Sequence, residues 1–179
     1  VILDNGRRLV SSDLVLDEKT GRYQIDFADF EKKIIKDKVR LFLLCSPHNP
    51  AGRVWSREEL QQLGRICRRH GVIVFSDEIH ADFVWHGQHQ VFAAADPDFA
   101  AFTITATSPS KTFNIAGLQV SNIFIPDEAL RQQFRRAYNA SGYSQLNAAG
   151  LIAAEAAYRD GGVWYDAVKA YLKDNIVYM

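Results

Sequence analysis

Val39-Arg40-Leu41-Phe42-Leu43-Leu44-Cys45 is apolar at all but one position, and that stretch constrains the fold more than any other feature of the chain. A strand with one wet face alternates apolar and polar residues, whereas a strand covered on both faces does not. Val72-Ile73-Val74-Phe75 repeats the pattern, and Phe102-Thr103-Ile104-Thr105-Ala106 supplies a third apolar run. Between the first two lies a helix signature. Ser56-Arg57-Glu58-Glu59 puts a hydroxyl at the cap and a carboxylate three residues on. Leu60, Leu63, Ile66 and Cys67 then form one apolar face, and Gly71 is placed to end the helix. Strand–helix–strand order with covered strands predicts a three-layer α/β fold with a mostly parallel sheet. Val120-Ser121-Asn122-Ile123-Phe124-Ile125 reads as a fourth strand. It starts too few residues after the third for a parallel crossover, so it is expected to run antiparallel.

The flanking segments add helices. Residues 1–25 are polar and rich in turn residues, consistent with short strands or an exposed hairpin. Asp26 caps a predicted helix with Phe27, Phe30 and Ile34 as its apolar positions, and Asp127 caps another with Leu130, Phe134 and Tyr138 on one face. An alanine-rich helix is expected from roughly Gln145 to Tyr158, with Gly161-Gly162 breaking it before a last helix that carries Trp164, Val168 and Leu172. The 179 residues fit one domain. Lys plus Arg and Asp plus Glu both number 21, which argues against a nucleic acid or an acidic membrane face as partner. No apolar run is long enough to span a bilayer. Cys45 and Cys67 read as buried thiols in a reducing compartment, and the cytoplasm is the expected location. The chain begins at Val1 and stops at Met179 inside a predicted helix, which reads as part of a longer protein.

Parallel strands put their C-terminal ends on one edge, and ligands bind at that edge. Here three successive strands run into Asn49, then Asp77 with His80, then Ser108, Ser110 and Lys111. Each residue has an ordinary role available. Asn49-Pro50-Ala51-Gly52 makes a turn anywhere, Asp77 can cap a helix, His80 can be a satisfied histidine, and the two serines can shape a turn. Lys111 can contact a phosphate, pair with Asp77 or act as a nucleophile. Neither a G-x-x-x-x-G-K nor a G-x-G-x-x-G loop is present, and His86 and His89 lack convincing metal-ligand spacing. Jointly the set suits pyridoxal phosphate. That cofactor needs a lysine for a Schiff base, a carboxylate beside its pyridine nitrogen, a donor to its phenolic oxygen and hydroxyls or amides for its phosphate. Lys111, Asp77, Asn49 and Ser108 match these needs in turn.

Ser46-Pro47-His48-Asn49-Pro50-Ala51-Gly52-Arg53-Val54-Trp55, Ser76-Asp77-Glu78-Ile79-His80-Ala81-Asp82 and Ser108-Pro109-Ser110-Lys111-Thr112-Phe113-Asn114-Ile115-Ala116-Gly117-Leu118-Gln119 resemble the fold-type I pyridoxal-phosphate enzymes of the class I/II aminotransferase superfamily. More narrowly they resemble its cystathionine β-lyase (C–S lyase) branch. The resemblance implies that Lys111 holds the cofactor covalently and then takes the substrate Cα proton, that Asp77 pairs with the pyridine nitrogen and that Asn49 bonds the phenolic oxygen. It implies cofactor contacts for His80, which stands where many aminotransferases have tyrosine. Gln119 stands where they often have a phosphate-binding arginine, which turns attention to Ser108 first and Ser110 second. Both departures agree with the lyase branch. The implied reaction is α,β-elimination on cystathionine or a related S-substituted cysteine, giving pyruvate, ammonia and a thiol. An aminotransferase is the alternative within the cofactor class, and a non-catalytic interaction module on the same fold is the alternative outside it. The resemblance further implies a homodimer acting on a small amino acid, with residues 1–160 as the core of the cofactor domain lacking its N-terminal part. Residues 161–179 would start the helix leading to a small C-terminal domain. The ring-stacking aromatic and the arginine that grips the substrate carboxylate are expected outside this chain.

Overall fold

The computed structural model of the chain describes residues 1–143 and 145–178. Strands β1 (Leu14–Asp17) and β2 (Arg22–Ile25) form an antiparallel hairpin, with Leu14 opposite Ile25. Helix α1 (Phe27–Asp37) follows, then β3 (Leu41–Cys45), α2 (Arg57–Arg69), β4 (Ile73–Asp77), β5 (Thr103–Thr107) and β6 (Asn122–Phe124). Helices α3 (Glu128–Ala140), α4 (Ala148–Asp160) and α5 (Gly162–Tyr178) complete the described chain. The main sheet has the order β3-β4-β5-β6, parallel across its first two pairs and antiparallel at the last. This is the expected α/β class with a mixed, mostly parallel sheet. Among the described residues no helix is long and apolar enough to cross a membrane.

Local chemistry sets the helix ends. The Asp26 carboxylate accepts from the Asp29 N–H at 2.9 Å at the start of α1. At α2 the capping box is complete: Ser56 Oγ accepts from Glu59 N–H at 3.2 Å and Glu59 Oε2 from Ser56 N–H at 2.7 Å. Gly71 follows α2 with φ of +64°, a backbone shape that glycine adopts without strain. Phe30 and Ile34 of α1 and Leu60, Leu63, Ile66 and Cys67 of α2 are buried together against Leu44 and Val74 of the sheet. Phe92 and Phe99, both buried in this core, stack at 5.1 Å between ring centroids. A Cβ on Gly64 of α2 would lie 2.1 Å from the Phe99 ring, so the helix approaches that ring only because glycine stands there.

Side chains alternate across a strand, so Phe42 and Leu44 meet the helices while Leu41 and Leu43 point the other way. Those two are 51% and 48% exposed. Their apolarity is that of a strand covered on both faces, and nothing among the described residues buries them.

Several boundaries differ from the sequence expectation. Phe102 closes a 3₁₀ turn (Phe99–Phe102), so β5 starts at Thr103 and reaches Thr107. Only Asn122–Phe124 of the fourth run pairs with β5. Helix α4 starts at Ala148 rather than near Gln145, because the Asn147 side chain accepts from Ala149 N–H at 3.0 Å and caps it there. The Leu130, Phe134 and Tyr138 stripe is only partly covered: Leu130 and Phe134 are half-buried, Tyr138 is exposed, and no residue of α3 is fully buried. Cys67 is buried but Cys45 only partly, since Cys45 points to the uncovered sheet face; both are free thiols.

Candidate functional site

The site edge is built by register. Cys45 pairs with Asp77 and Asp77 with Ala106, so β3, β4 and β5 end at nearly one level. Two further bonds carry the ladder past the strands, Ser46 N–H to Asp77 O and Glu78 N–H to Ala106 O, both 2.9 Å.

After β3 the chain makes a tight loop. His48 N–H reaches Arg53 O at 2.7 Å and Gly52 N–H reaches His48 O at 2.9 Å. Gly52 has φ of +64°, which favours glycine. Trp55 is buried and anchors the loop by donating Nε1–H to Cys45 O at 2.9 Å. Asn49 stands exposed at the tip, and its amide makes no hydrogen bond among the described residues. Burial of the neighbouring His48 ring pushes its pKa below the usual histidine value.

At the end of β4, Asp77 lies on the face away from α1 and α2. Its Oδ1 accepts from Ile79 N–H at 3.1 Å. Glu78 alternates to the opposite face and is 2% exposed. Its Oε1 accepts from Ser76 Oγ at 2.9 Å and from Phe92 N–H at 3.1 Å, and its Oε2 lies 2.7 Å from His89 Nε2. The bond to Glu78 accounts for His89, whereas its Nδ1 is buried without a partner. The described residues hold no cluster of three or more metal-ligating side chains. His80 sits half-buried in the turn after Asp77, its side chain unbonded among the described residues.

The loop after β5 carries the lysine. Ser108 is buried; its Oγ donates to Val120 O at 2.6 Å and accepts from Ser110 N–H at 3.0 Å. This hydroxyl therefore shapes the loop, and its proton is directed at Val120 rather than outward. Ser110 is also buried, with its own hydroxyl unbonded among the described residues. Lys111 is exposed. Among the described residues it makes no ion pair, so the plain Lys111–Asp77 pair is not formed. Gln119 ends the loop in the left-handed conformation with φ of +54°.

Asp77, at the end of β4, and Asn49, His80, Ser108, Ser110 and Lys111, on the loops and turns that follow the strands, thus lie at one sheet edge. The donor set, an unpaired amine, a carboxylate with one free oxygen and an unbonded amide, fits pyridoxal phosphate as the sequence suggested. Sequence reasoning left out what holds these loops. Thr112 Oγ1 donates to Asp82 Oδ2 at 2.6 Å, and Tyr165 Oη donates to Asp82 O at 2.6 Å. Asp82 and Thr112 sit within the two motifs but had no chemical role to attract notice. Glu78 could have been found by alternation, since a residue after Asp77 must turn its carboxylate into the core.

The family model Aminotransferase class I and II matches residues 14–179. The chain belongs to this family. Cystathionine beta-lyase PatB of Bacillus subtilis (strain 168) is 49% identical over 96% of the chain and 44% of its own length. Among solved structures, the PLP-bound C–S lyase from Staphylococcus hominis superposes with a TM-score of 0.88 at 41% identity, over 98% of the chain and 44% of the lyase. Cystalysin from Treponema denticola, which contains a pyridoxal 5′-phosphate cofactor, gives 0.89 at 38% identity, over 94% of the chain and 43% of cystalysin. The chain spans less than half the length of these relatives. In this member of the class I and II family, Asn49, Asp77 and Lys111 lie at or just past the ends of β3, β4 and β5 on one sheet edge.

Proposed function

We propose that the full-length protein is a pyridoxal-phosphate-dependent C–S β-lyase acting on cystathionine or a related S-substituted cysteine. The observation that carries this reading is the exposed Lys111, without an ion pair among the described residues, on the strand edge that also presents Asp77 and Asn49, in a chain similar to named β-lyases. The bound cofactor would supply an electron-withdrawing ring that stabilises negative charge at the substrate Cα. Lys111 would hold the cofactor, and its Nζ would receive the substrate Cα proton. The Asp77 carboxylate would accept the pyridine N–H and keep that nitrogen protonated. The Asn49 amide would donate to the phenolic oxygen, and His80 would add a further cofactor contact. Ser110 Oγ is the readier phosphate donor, with Ser108 behind it, since Ser108 already donates to Val120 O. The Cβ–S bond then breaks with its electron pair on sulfur. With one water consumed, the products are a thiol, pyruvate and ammonia.

The test is incubation of the full-length protein with cystathionine. Pyruvate and ammonia in the absence of a keto-acid acceptor support the lyase. Turnover that depends on such an acceptor makes it an aminotransferase, the other reading the family supports. Absence of both reactions and of cofactor binding leaves a non-catalytic module. We place residues 1–160 in the cofactor domain and residues 161–179 at the start of the connection to a second domain. We further place the protein in the cytoplasm, which suits the free thiols Cys45 and Cys67, as a homodimer that equilibrium sedimentation would detect.

A further inference from the structure

The two residues after Lys111 are held on both sides while Lys111 itself is exposed. Thr112 is 3% exposed, and its hydroxyl donates to the Asp82 carboxylate at 2.6 Å, across thirty residues of chain. Asp82 lies five residues past Asp77, in the segment that leaves β4. Its backbone carbonyl takes a second bond, from Tyr165 Oη on α5 at 2.6 Å, and Lys169 Nζ donates to that same phenol oxygen at 2.9 Å. Phe113 stacks on Trp164 of α5 at 5.7 Å between centroids. A Cβ on Gly161, at the α4–α5 junction, would fall 2.4 Å from the Phe113 ring, so this contact too depends on glycine. The lysine thus has a fixed base and a free arm. A hydrogen bond from a hydroxyl to a carboxylate is short and stronger than one between neutral groups. Here it ties the lysine loop to the aspartate segment, the two parts of the site that must keep their spacing.

We infer that Asp82 is a positioning residue for Lys111: through Thr112 Oγ1 and Tyr165 Oη it joins the lysine loop, the segment after Asp77 and α5 into one clamp. The inference rests on the functional reading above for its consequence, but the clamp itself is made entirely by this chain's own residues. Loss of the clamp leaves Lys111 and Asp77 chemically intact and lets their separation wander. Small displacements of a reacting group carry a large penalty in rate. The clamp also makes the position of α5 felt at Lys111.

The experiment uses the full-length protein and the variants Thr112→Val, Thr112→Ser, Asp82→Ala and Tyr165→Phe. In cofactor-free protein, hydrogen exchange of the backbone amides of residues 108–116 is expected to quicken about tenfold in Thr112→Val and Asp82→Ala, and less in Tyr165→Phe. Thr112→Ser, which keeps the hydroxyl, is expected to exchange like the unmodified protein. The dissociation constant for pyridoxal phosphate, titrated by absorbance, is expected to rise about tenfold in the same two variants and to recover in Thr112→Ser. A merely structural threonine would lower the melting temperature without this rescue pattern. Unchanged exchange and unchanged cofactor affinity in Asp82→Ala overturn the inference. If Thr112→Val fails to fold, Asp82→Ala and Tyr165→Phe, which alter exposed or partly exposed residues, decide it. Borohydride reduction of unmodified protein with cofactor separates the two ideas. No pyridoxyl group on Lys111 sinks the functional reading, while the exchange data still judge the clamp.

Discussion

Glu78 Oε2 lies 2.7 Å from Nε2 of His89, and this pair sits directly behind Asp77 on the core side of β4. Consecutive residues thus divide two roles: Asp77 faces the candidate site and Glu78 ties the strand end to the segment that holds Phe92. Removing the Glu78 carboxylate strands the Ser76 hydroxyl, the Phe92 N–H and the His89 ring in a buried place. Glu78→Ala is expected to destabilise the protein by about 3 kcal/mol, and Glu78→Gln, which keeps an acceptor, by less. Urea unfolding followed by tryptophan fluorescence measures both, and equal midpoints for Glu78→Ala and the unmodified protein would refute the role.

Lys111 carries no ion pair among the described residues, so its replacement should leave the fold intact and remove the chemistry. Lys111→Ala is expected to melt within a few degrees of the unmodified protein. On the lyase reading proposed above, β-elimination from cystathionine should fall by roughly 10⁴-fold, as loss of a proton-transfer group predicts. Pyruvate release coupled to an indicator enzyme reads this. Retention of more than a tenth of the activity would move the proton transfer elsewhere.

Burial pushes the Cys67 thiol up to about 12. Its folded value exceeds its unfolded value of 9.0, so the folded state holds the proton more tightly. Above pH 9.0 the unfolded chain binds fewer protons, and stability therefore falls as pH rises from 9.0 towards about 12. Cys67→Ala should flatten this alkaline decline in a series of urea midpoints, at the expense of a small cavity. At pH 8 the buried Cys67 stays a covered, protonated thiol in the folded state. Iodoacetamide should therefore label Cys45 first, and faster labelling of Cys67 in folded protein would contradict its burial.

A methyl group on Gly64 would meet the Phe99 ring at 2.1 Å. Helix propensity favours alanine over glycine by about 1 kcal/mol, so sequence alone expects Gly64→Ala to stabilise α2. Overpacking against a ring already stacked on Phe92 costs about 1–3 kcal/mol and should prevail. The melting temperature is expected to drop, and a rise would show that Phe99 can move aside.

What the sequence determined by itself was local or periodic. The Ser56–Glu59 capping box, the Asp26 and Asp127 caps and the buried face of α2 follow from residues within a few positions of one another. The antiparallel β6 follows from the short connection after Lys111. The convergence of Asn49, Asp77 and Lys111 was legible because parallel strands must end on one edge, whatever their detailed packing. Tertiary structure alone decided contacts between distant segments, whose partners leave no mark of spacing in the chain. Thr112 met Asp82, Tyr165 met Asp82 and Glu78 met His89 only once β4, β5 and α5 were packed. Tertiary structure also directed the Ser108 hydroxyl to Val120 O, a choice that depends on where β6 begins. Hydrogen bonds need angstrom placement, and hydrophobic patterning specifies only which face is buried.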